Sequence, residues 1–285
     1  MIIVTGATGQ LGGLVVEQLL ARVPAEQIGV SVRDPEKARA LQERGVRVRR
    51  GDFTDAASLA PAFEGASQVL LVSAGSTGDG AVQQHRTAIN ATVAAGAERV
   101  VYTSHMGAGP ASPFPPMPDH AATEELLRGS GVAFTALRNG FYASFAGQLL
   151  ARSGALRTGE LRMPEDGPVA WTTHGDLAEA AAVTLVKGGL DGVTPALVTP
   201  KAVDMAGVAA LASELTGRSI TRVIVSDADY RADLLQRVPA PAADMLMGMF
   251  LAARRGDFTA TDPTLTRLLG RAPQPLLDTL ARPAQ

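Results

Sequence analysis

Short apolar runs alternate with amphipathic stretches through the first half of the chain. Ile2–Thr5, Ile28–Val32, Val46–Arg49, Val69–Val72, Arg99–Thr103 and Ala133–Leu137 are β-branched or Leu-rich and bounded by turn residues, which predicts strands. Between them Gln10–Arg22, Pro35–Arg44, Ala56–Phe63, Gly80–Ala95 and Asp119–Arg128 carry apolar residues at helical spacing. In the first helix, Leu11, Leu14, Val15, Leu19 and Leu20 share one face. Strands that are almost continuously apolar and alternate with helices predict a parallel sheet covered on both faces. The expected fold class is therefore α/β, a doubly wound parallel sheet with its ligand crevice at the C-terminal ends of the strands. Those ends fall near Gly6, Arg33, Asp52, Ser73, Ser104 and Arg138.

The pattern loosens after about residue 150. Thr158–Asp166 is rich in glycine and charge, Val169–Thr172 predicts a strand, and Asp176–Val186 an alanine-rich helix. Val203–Thr216 and Asp227–Val238 predict helices around a strand at Ile220–Val225. Ala242–Ala253, after Pro239-Ala240-Pro241, predicts an apolar helix carrying Met245, Met247, Met249 and Phe250, read as core or as a lid over substrate. The expected organisation is a dinucleotide-binding domain over residues 1–153 and a smaller C-terminal α/β substrate lobe over 154–285. Residues 168–187 are expected to return to the first domain.

The 285 residues are 46% hydrophobic and 19% charged, enough for a sizeable core. A net charge of −2 without a basic block argues against nucleic acid as partner. No apolar run reaches the roughly 20 residues of a membrane span. There is no cysteine, hence no disulfide, thiol nucleophile or zinc–thiolate site. No histidine pair has metal-ligand spacing, so no metal is expected. Met1-Ile2-Ile3-Val4 runs directly into a glycine motif without a basic start, so a cytoplasmic protein is expected.

That motif, Thr5-Gly6-Ala7-Thr8-Gly9-Gln10-Leu11-Gly12, joins a predicted strand to a predicted helix, the context in which it binds a dinucleotide. Gly6 permits a tight turn, Gly9 lets a pyrophosphate approach the backbone, and Gly12 lets helix and strand pack closely. The phosphates then rest on the helix N-terminus at Gln10. A carboxylate usually follows about 20 residues later to hold the ribose 2′-hydroxyl of NAD. Here Val32 is followed by Arg33, 21 positions after Gly12. A guanidinium there suits a 2′-phosphate, so the expected cofactor is NADP(H). Gly51-Asp52-Phe53 closes the third strand, where Asp52 either accepts from the adenine amine or merely closes a turn. The small residues Ser73-Ala74-Gly75-Ser76 after the fourth strand let the backbone pass close to the cofactor's second phosphate or ribose.

These segments occur in order with Val101-Tyr102-Thr103-Ser104, Asp119-His120-Ala121-Ala122-Thr123-Glu124 and Leu137-Arg138-Asn139-Gly140-Phe141-Tyr142. The chain thereby resembles the NmrA-like group of atypical short-chain dehydrogenases/reductases, which have a Rossmann fold. Its likeness is greatest to bacterial NADPH-dependent quinone oxidoreductases, with triphenylmethane reductases as near relatives. The resemblance implies cofactor contacts from the glycine motif, Arg33, the Ser73–Ser76 turn and the turn Asn139, Gly140, Phe141, Tyr142. It also matches Ser104 to the family's serine at the end of strand five.

One departure from ordinary short-chain dehydrogenases bears on the chemistry. Those enzymes pair a tyrosine with a lysine four positions later. Here Met106, Ala146 and Leu234 stand four beyond Tyr102, Tyr142 and Tyr230. His120 and Glu124 occupy the expected place, four apart on a predicted helix and hence on one face. His120 is the candidate to steady or protonate an acceptor oxygen, with Ser104 beside it. Of the other histidines, His105 either lines the cleft or caps a loop, while His85 and His174 are expected at the surface. The reading is NADPH-dependent hydride transfer to a quinone or similarly flat small-molecule acceptor. The alternatives are a non-catalytic NADP sensor of the NmrA type and a reductase of dyes or benzylic ethers.

Overall fold

Seven strands form one sheet in the order Gly192–Val193, Ala133–Asn139, Arg99–His105, Gln68–Leu71, Ile2–Thr5, Ile28–Val32 and Arg47–Arg50, every neighbouring pair parallel. The computed structural model describes residues 1–281. In chain order the elements to the end of the sixth strand are β1 (Ile2–Thr5), α1 (Gln10–Leu20), β2 (Ile28–Val32), α2 (Arg39–Glu43), β3 (Arg47–Arg50), α3 (Ala56–Phe63), β4 (Gln68–Leu71), α4 (Asp79–Ala94), β5 (Arg99–His105), α5 (Pro116–Arg128) and β6 (Ala133–Asn139). Then come β7 (Phe141–Tyr142), α6 (Ala143–Ser153), α7 (Ala155–Thr158), β8 (Glu160–Met163), β9 (Trp171–Thr172), α8 (His174–Lys187), β10 (Gly192–Val193), α9 (Met205–Thr216), β11 (Thr221–Ile224), α10 (Asp227–Leu235), α11 (Ala240–Arg254), α12 (Thr264–Leu269) and α13 (Leu276–Leu280).

The strand order reverses between β1 and β4, and the crevice opens there, at the sheet's C-terminal edge. Two apolar layers sandwich the sheet. On one face Val15, Val16 and Leu19 of α1 meet Leu177, Ala181 and Leu185 of α8 and Leu265 of α12. On the other, Leu59 and Phe63 of α3 pack with Ile89 of α4 and Leu127 of α5. The edge strand β3 carries Arg47, Arg49 and Arg50, and charges of this kind discourage pairing with another chain. The predicted helix at Pro35–Arg44 divides into a 3₁₀ turn, whose Asp34 cap accepts from the Glu36 N–H, and the short α2. Helix α5 begins three residues before its predicted start, with Pro116 in its first turn, a position where proline fits.

A third apolar core fills the C-terminal lobe, around Phe141, Trp171, Met249, Phe250 and Phe258. Two short parallel pairs lie outside the main sheet, β7 with β9 and β8 with β11. The chain returns to the main sheet's layers through α8, β10 and α12. No helix among the described residues is long and apolar enough to cross a membrane. Nor does any group of three His, Cys, Asp or Glu gather there to hold a metal ion.

The β1–α1 turn has no spare room. Gly6 has φ +62°, a left-handed conformation that a glycine adopts without strain. A Cβ on Gly12 would lie 2.3 Å from the Gly6 carbonyl oxygen, which is backbone and cannot swing aside. Gly12→Ala is therefore expected to push α1 off β1 and lower stability by about 1–3 kcal/mol, the scale of overpacking. Urea unfolding followed by circular dichroism checks this; unchanged stability would mean that the turn is more compliant than its geometry requires.

Candidate active site

The first helix presents its N-terminus to the crevice bare. Gly9 caps it without a side chain, and its first turn holds no acidic residue. The N–H groups of that turn have no intrahelical partner, so they stand ready for an anion. Thr8, Gly9 and Gln10 are exposed there, whereas the Leu11 side chain is buried in the core, leaving only its backbone to the site. Arg33, at the end of β2, is exposed and makes no hydrogen bond or ion pair with any described residue. Asp52 sits at the end of β3, where its Oδ1 accepts from both the N–H and the hydroxyl of Thr54 at 2.9 and 2.8 Å. Those bonds, more than nearby Arg33 and Arg50, hold the Asp52 carboxyl below its usual range. Asp52 thus closes a turn, with Oδ2 left over. Phe53 is half-buried against the neighbouring core.

The exit of β4 is shaped by side chains from four other elements. Thr5 Oγ1 accepts from the Val72 N–H at 2.9 Å, and Thr103 Oγ1 from the Ser73 N–H at 2.8 Å. His85 Nε2 accepts from the Ala74 N–H at 2.8 Å, and Asp119 Oδ2 from the Gly78 N–H at 2.7 Å. Side chains thus satisfy the amides of Val72, Ser73, Ala74 and Gly78, and the chain bends at Gly75. A Cβ on Gly75 would meet nothing within 4 Å, so space lies open there.

His85 was expected at the surface; it is buried, 3% exposed. Its Nδ1 lies 2.8 Å from Thr123 Oγ1, whose own proton goes to the Asp119 carbonyl. Since Nε2 accepts from Ala74, the proton resides on Nδ1 and the ring is neutral. Burial lowers its pKa to about 4. The signal was present in the sequence: Ala81, His85, Ala88, Ile89 and Thr92 follow one helical stripe, and all are buried.

Helix α5 does not use His120 and Glu124 as one paired face. Glu124 is buried, and its carboxylate takes both Nε and Nη2 of Arg138 at 2.9 and 2.8 Å. It also accepts the hydroxyl of Ser104 at 2.6 Å. The Ser104 proton is therefore committed to a buried trio joining β5, α5 and β6, leaving its oxygen only the role of acceptor. His120 turns elsewhere: its Nδ1 lies 2.8 Å from the Tyr102 hydroxyl, and its ring stacks on His105 at 6.1 Å between centroids. Burial raises the Tyr102 pKa, so the phenol keeps its proton. The Tyr102 hydroxyl also lies within hydrogen-bonding reach of Thr123; a phenol proton given to Nδ1 leaves Nε2–H of His120 as a donor. Burial, then the neighbouring His105 and His85, hold the His120 pKa well below its usual value. His105 is pushed down to about 3 by burial, with Nδ1 accepting from the Gly107 N–H.

The turn after β6 divides its residues. Asn139 is buried, and its Oδ1 has no partner among the described residues. Gly140 lies so close to Thr172 that a Cβ would fall 2.2 Å from Thr172 Oγ1. Phe141, expected at the cofactor, points instead into the lobe core, packed against His105, Phe114, Phe145, Trp171 and Phe258. Tyr142 stacks on His174 at 4.0 Å, and His174, expected at the surface, is half-buried; burial brings its pKa to about 4. The methionine-bearing helix α11 serves two ends. Met247, Met249 and Phe250 belong to the core, while Met245 lines a cavity that Met249 also borders.

A bare helix N-terminus, an unpartnered arginine at the end of β2 and an orphaned amide oxygen at the end of β6 fit NADP(H) laid across the crevice. Fold and site together define a dinucleotide-binding protein of the doubly wound class. Residues 6–149 match the family model described as NAD(P)H-binding. Quinone oxidoreductase 2 of Escherichia coli is 37% identical over 99% of this chain and 98% of its own length. The crystal structure of that E. coli NADPH-dependent quinone oxidoreductase with NADPH matches with a TM-score of 0.91, covering 99% of both chains. Triphenylmethane reductase of Citrobacter sp., solved with NADP(H), is 34% identical with a TM-score of 0.90, covering 98% of this chain and 99% of that one. An NmrA-like family domain-containing oxidoreductase of Aspergillus flavus is 29% identical over 97% of this chain and 92% of its own length. The chain belongs to the NAD(P)H-binding family, among its NmrA-like members.

All four imidazoles have pKa values lowered in the folded protein. Between those values and the roughly 6.5 of an unfolded histidine, the unfolded chain binds more protons. Stability is thus complete above about pH 6.5, declines on acidification, and levels once the folded imidazoles protonate near pH 4 and below. Each histidine contributes at most about 1.4 kcal/mol per pH unit to that decline. Urea midpoints measured from pH 7 down to 4.5 should fall, less steeply in His85→Gln; a midpoint flat across that interval would contradict the buried neutral rings.

Proposed function

We propose that this protein is an NADPH-dependent reductase that passes hydride to a quinone or similarly flat acceptor. The observation that carries this reading is the whole-length similarity to the E. coli quinone oxidoreductase, which includes the C-terminal lobe. The similarity to the Citrobacter triphenylmethane reductase favours cationic triarylmethane dyes as a second acceptor class.

NADPH, when bound, supplies the hydride. The N–H groups of Gln10, Leu11 and Gly12 hold the pyrophosphate, and Arg33 takes the 2′-phosphate with its guanidinium fork. Thr8 and Gly9 border the phosphates, and Asp52 and Phe53 border the adenine. The Ser73–Gly75 turn, held by Thr103 and His85, backs the second ribose. Asn139 and Tyr142 border the nicotinamide. His120 donates from Nε2 to the acceptor oxygen as that oxygen gains charge, and Tyr102 fixes the tautomer that makes this possible. NADPH, quinone and one proton become NADP⁺ and hydroquinone. Two electrons travel with the hydride, and the added proton reaches the second oxygen from water. The neutral His120 thus orients and stabilises rather than supplying that proton. Without a tyrosine–lysine pair there is no tyrosinate to accept an alcohol proton, so secondary alcohols should not be oxidised at a useful rate.

Arg33→Ala should weaken NADPH binding by about 1.5–3 kcal/mol, the scale of a charged hydrogen bond, and leave NADH binding nearly unchanged. Fluorescence titration of both cofactors measures this, and equal losses would contradict the assignment. His120→Ala should lower kcat/KM for quinone about 10- to 100-fold, the same energy expressed as a rate. The wild-type rate should be flat between about pH 6 and 8, because no imidazole of the site titrates there. A step in that range would mean that His120 acts as an acid after all. Tight NADPH binding with no acceptor reduced across quinones and dyes would turn the reading toward a redox sensor.

A further inference from the structure

The C-terminal lobe carries a cavity of about 890 Å³, lined by none of the residues assigned above to cofactor or acceptor. Phe114 and Phe145 form its inner end and pack on Phe141 at 5.6 and 5.5 Å between ring centroids. Phe141 in turn meets His105 at 5.2 Å, and His105 stacks on His120. Packed rings therefore separate the cavity from the acceptor's place, and a molecule bound in one does not reach into the other. The volume lies within the roughly 300–1,000 Å³ of small-molecule sites.

The wall changes character from inside to outside. Helix α6 presents Phe145, Gln148, Leu149 and Arg152 at i, i+3, i+4 and i+7, so one of its faces lines the cavity. The helical rise separates Phe145 from Arg152 by about 10 Å. Leu246 and Met249 of α11 extend the apolar part. The exposed rim is charged, with Arg152, Arg162 and Arg237 beside Asp229 and Asp233. Local pairing occupies some of these groups. Arg162 holds Glu160 at 3.1 Å, and Asp229 accepts from the Ser226 hydroxyl at 2.6 Å. Arg152 makes no hydrogen bond or ion pair with any described residue. Arg237 commits only its Nε, to the Asp233 carbonyl at 3.3 Å. Two uncommitted guanidinium groups thus stand against one uncommitted carboxylate, that of Asp233, and the rim carries a surplus of positive charge.

Tyr230 supplies an independent observation. It lines the cavity and is only 9% exposed, with its ring edge-on to Phe250 at 5.6 Å. Its hydroxyl makes no hydrogen bond with any described residue. Burial raises its pKa, so at neutral pH the phenol keeps its proton and can donate it. Among charged groups Arg237 acts on it most, so phenol and guanidinium stand near one another. Buried hydroxyls in folded proteins find partners, and a ligand oxygen would supply this one.

We propose that the cavity is a second ligand site, separate from the crevice, for an organic anion with a body of about two rings and a carboxylate or comparable oxyanion. The body lies among Phe114, Phe145, Leu149 and Met249. The anionic group meets Arg237 and the Tyr230 hydroxyl, with Arg152 adding charge from α6. The site is independent of the hydride-transfer reading.

Calorimetry tests this with biphenyl-4-carboxylate and with biphenyl-4-carboxamide, the same body without the charge. The carboxylate should bind about tenfold tighter or more, the scale of a charged hydrogen bond. Its affinity should be the same with and without saturating NADPH, because the two sites share no residue. The double variant Arg152→Gln, Arg237→Gln changes only exposed positions, where folding tolerates it, and should bring the two probes close to equal affinity. Tyr230→Phe deletes one hydroxyl and should weaken the carboxylate several-fold. Both variants should bind NADPH as the wild type does, which shows that the fold and the crevice are intact. Equal affinity for the two probes, carboxylate binding unchanged in the double variant, or no heat from either probe at millimolar concentration would overturn the site. Displacement of the carboxylate by NADPH would place the probe in the crevice and overturn it as well.

Discussion

The active-site end of this molecule depends on how the backbone leaving β4 is satisfied. At the point where the strand order reverses, amides beyond β4 lose the ladder that serves the rest of the sheet, and buried amides without partners are costly. Thr5, Thr103, His85 and Asp119 supply acceptors from β1, β5, α4 and α5. Their bonds pin the backbone at Val72, Ser73, Ala74 and Gly78 along the edge of the crevice. The neutrality of His85 follows from that task, because a ring carrying protons on both nitrogens has nothing to offer the Ala74 N–H.

Helix α5 connects this segment to the chemistry. Asp119, His120, Thr123 and Glu124 lie within two turns of it, each bound to a different partner. Asp119 holds the Gly78 amide, Thr123 holds His85, and His120 meets the Tyr102 phenol. Glu124 joins Ser104 to Arg138. A buried carboxylate of this kind needs all its partners, since removal of one leaves an uncompensated charge. The trio therefore fixes where α5 sits on β5 and β6, and with it where the Nε2–H of His120 points. The residues that stand in the position of a tyrosine–lysine pair thus serve separate ends, one meeting the Tyr102 phenol and one holding the helix.

The sheet and the phosphate turn were legible in the sequence because local signals specify them. Strand-length apolar runs, helical stripes and the glycine spacing each act over a few residues. Arg33 was legible for the same reason, as the residue that ends β2. What stayed hidden depends on contacts between distant segments. Nothing local says that Glu124 meets Arg138 or that Tyr102 meets His120. Phe141 follows Asn139 and Gly140 in the cofactor turn, yet the side-chain alternation of β7 sends it into the lobe core and leaves Tyr142 to stack on His174. Two features were overlooked although a signal existed. His85 lies on the buried stripe of α4, and Glu160-Leu161-Arg162-Met163 alternates polar and apolar as a strand does, with Leu161 and Met163 buried.

The proposed function stands on direct passage of hydride from NADPH to a quinone within this crevice, with no other redox group. An anaerobic single turnover, with the protein saturated by NADPH carrying deuterium at the transferred position and then mixed with quinone, tests it most directly. One hydroquinone should appear for each nicotinamide oxidised, at one rate, with a primary isotope effect on that rate. A saturated protein that leaves its nicotinamide reduced in the presence of quinone, or oxidises it with no isotope effect and no matching hydroquinone, would contradict it.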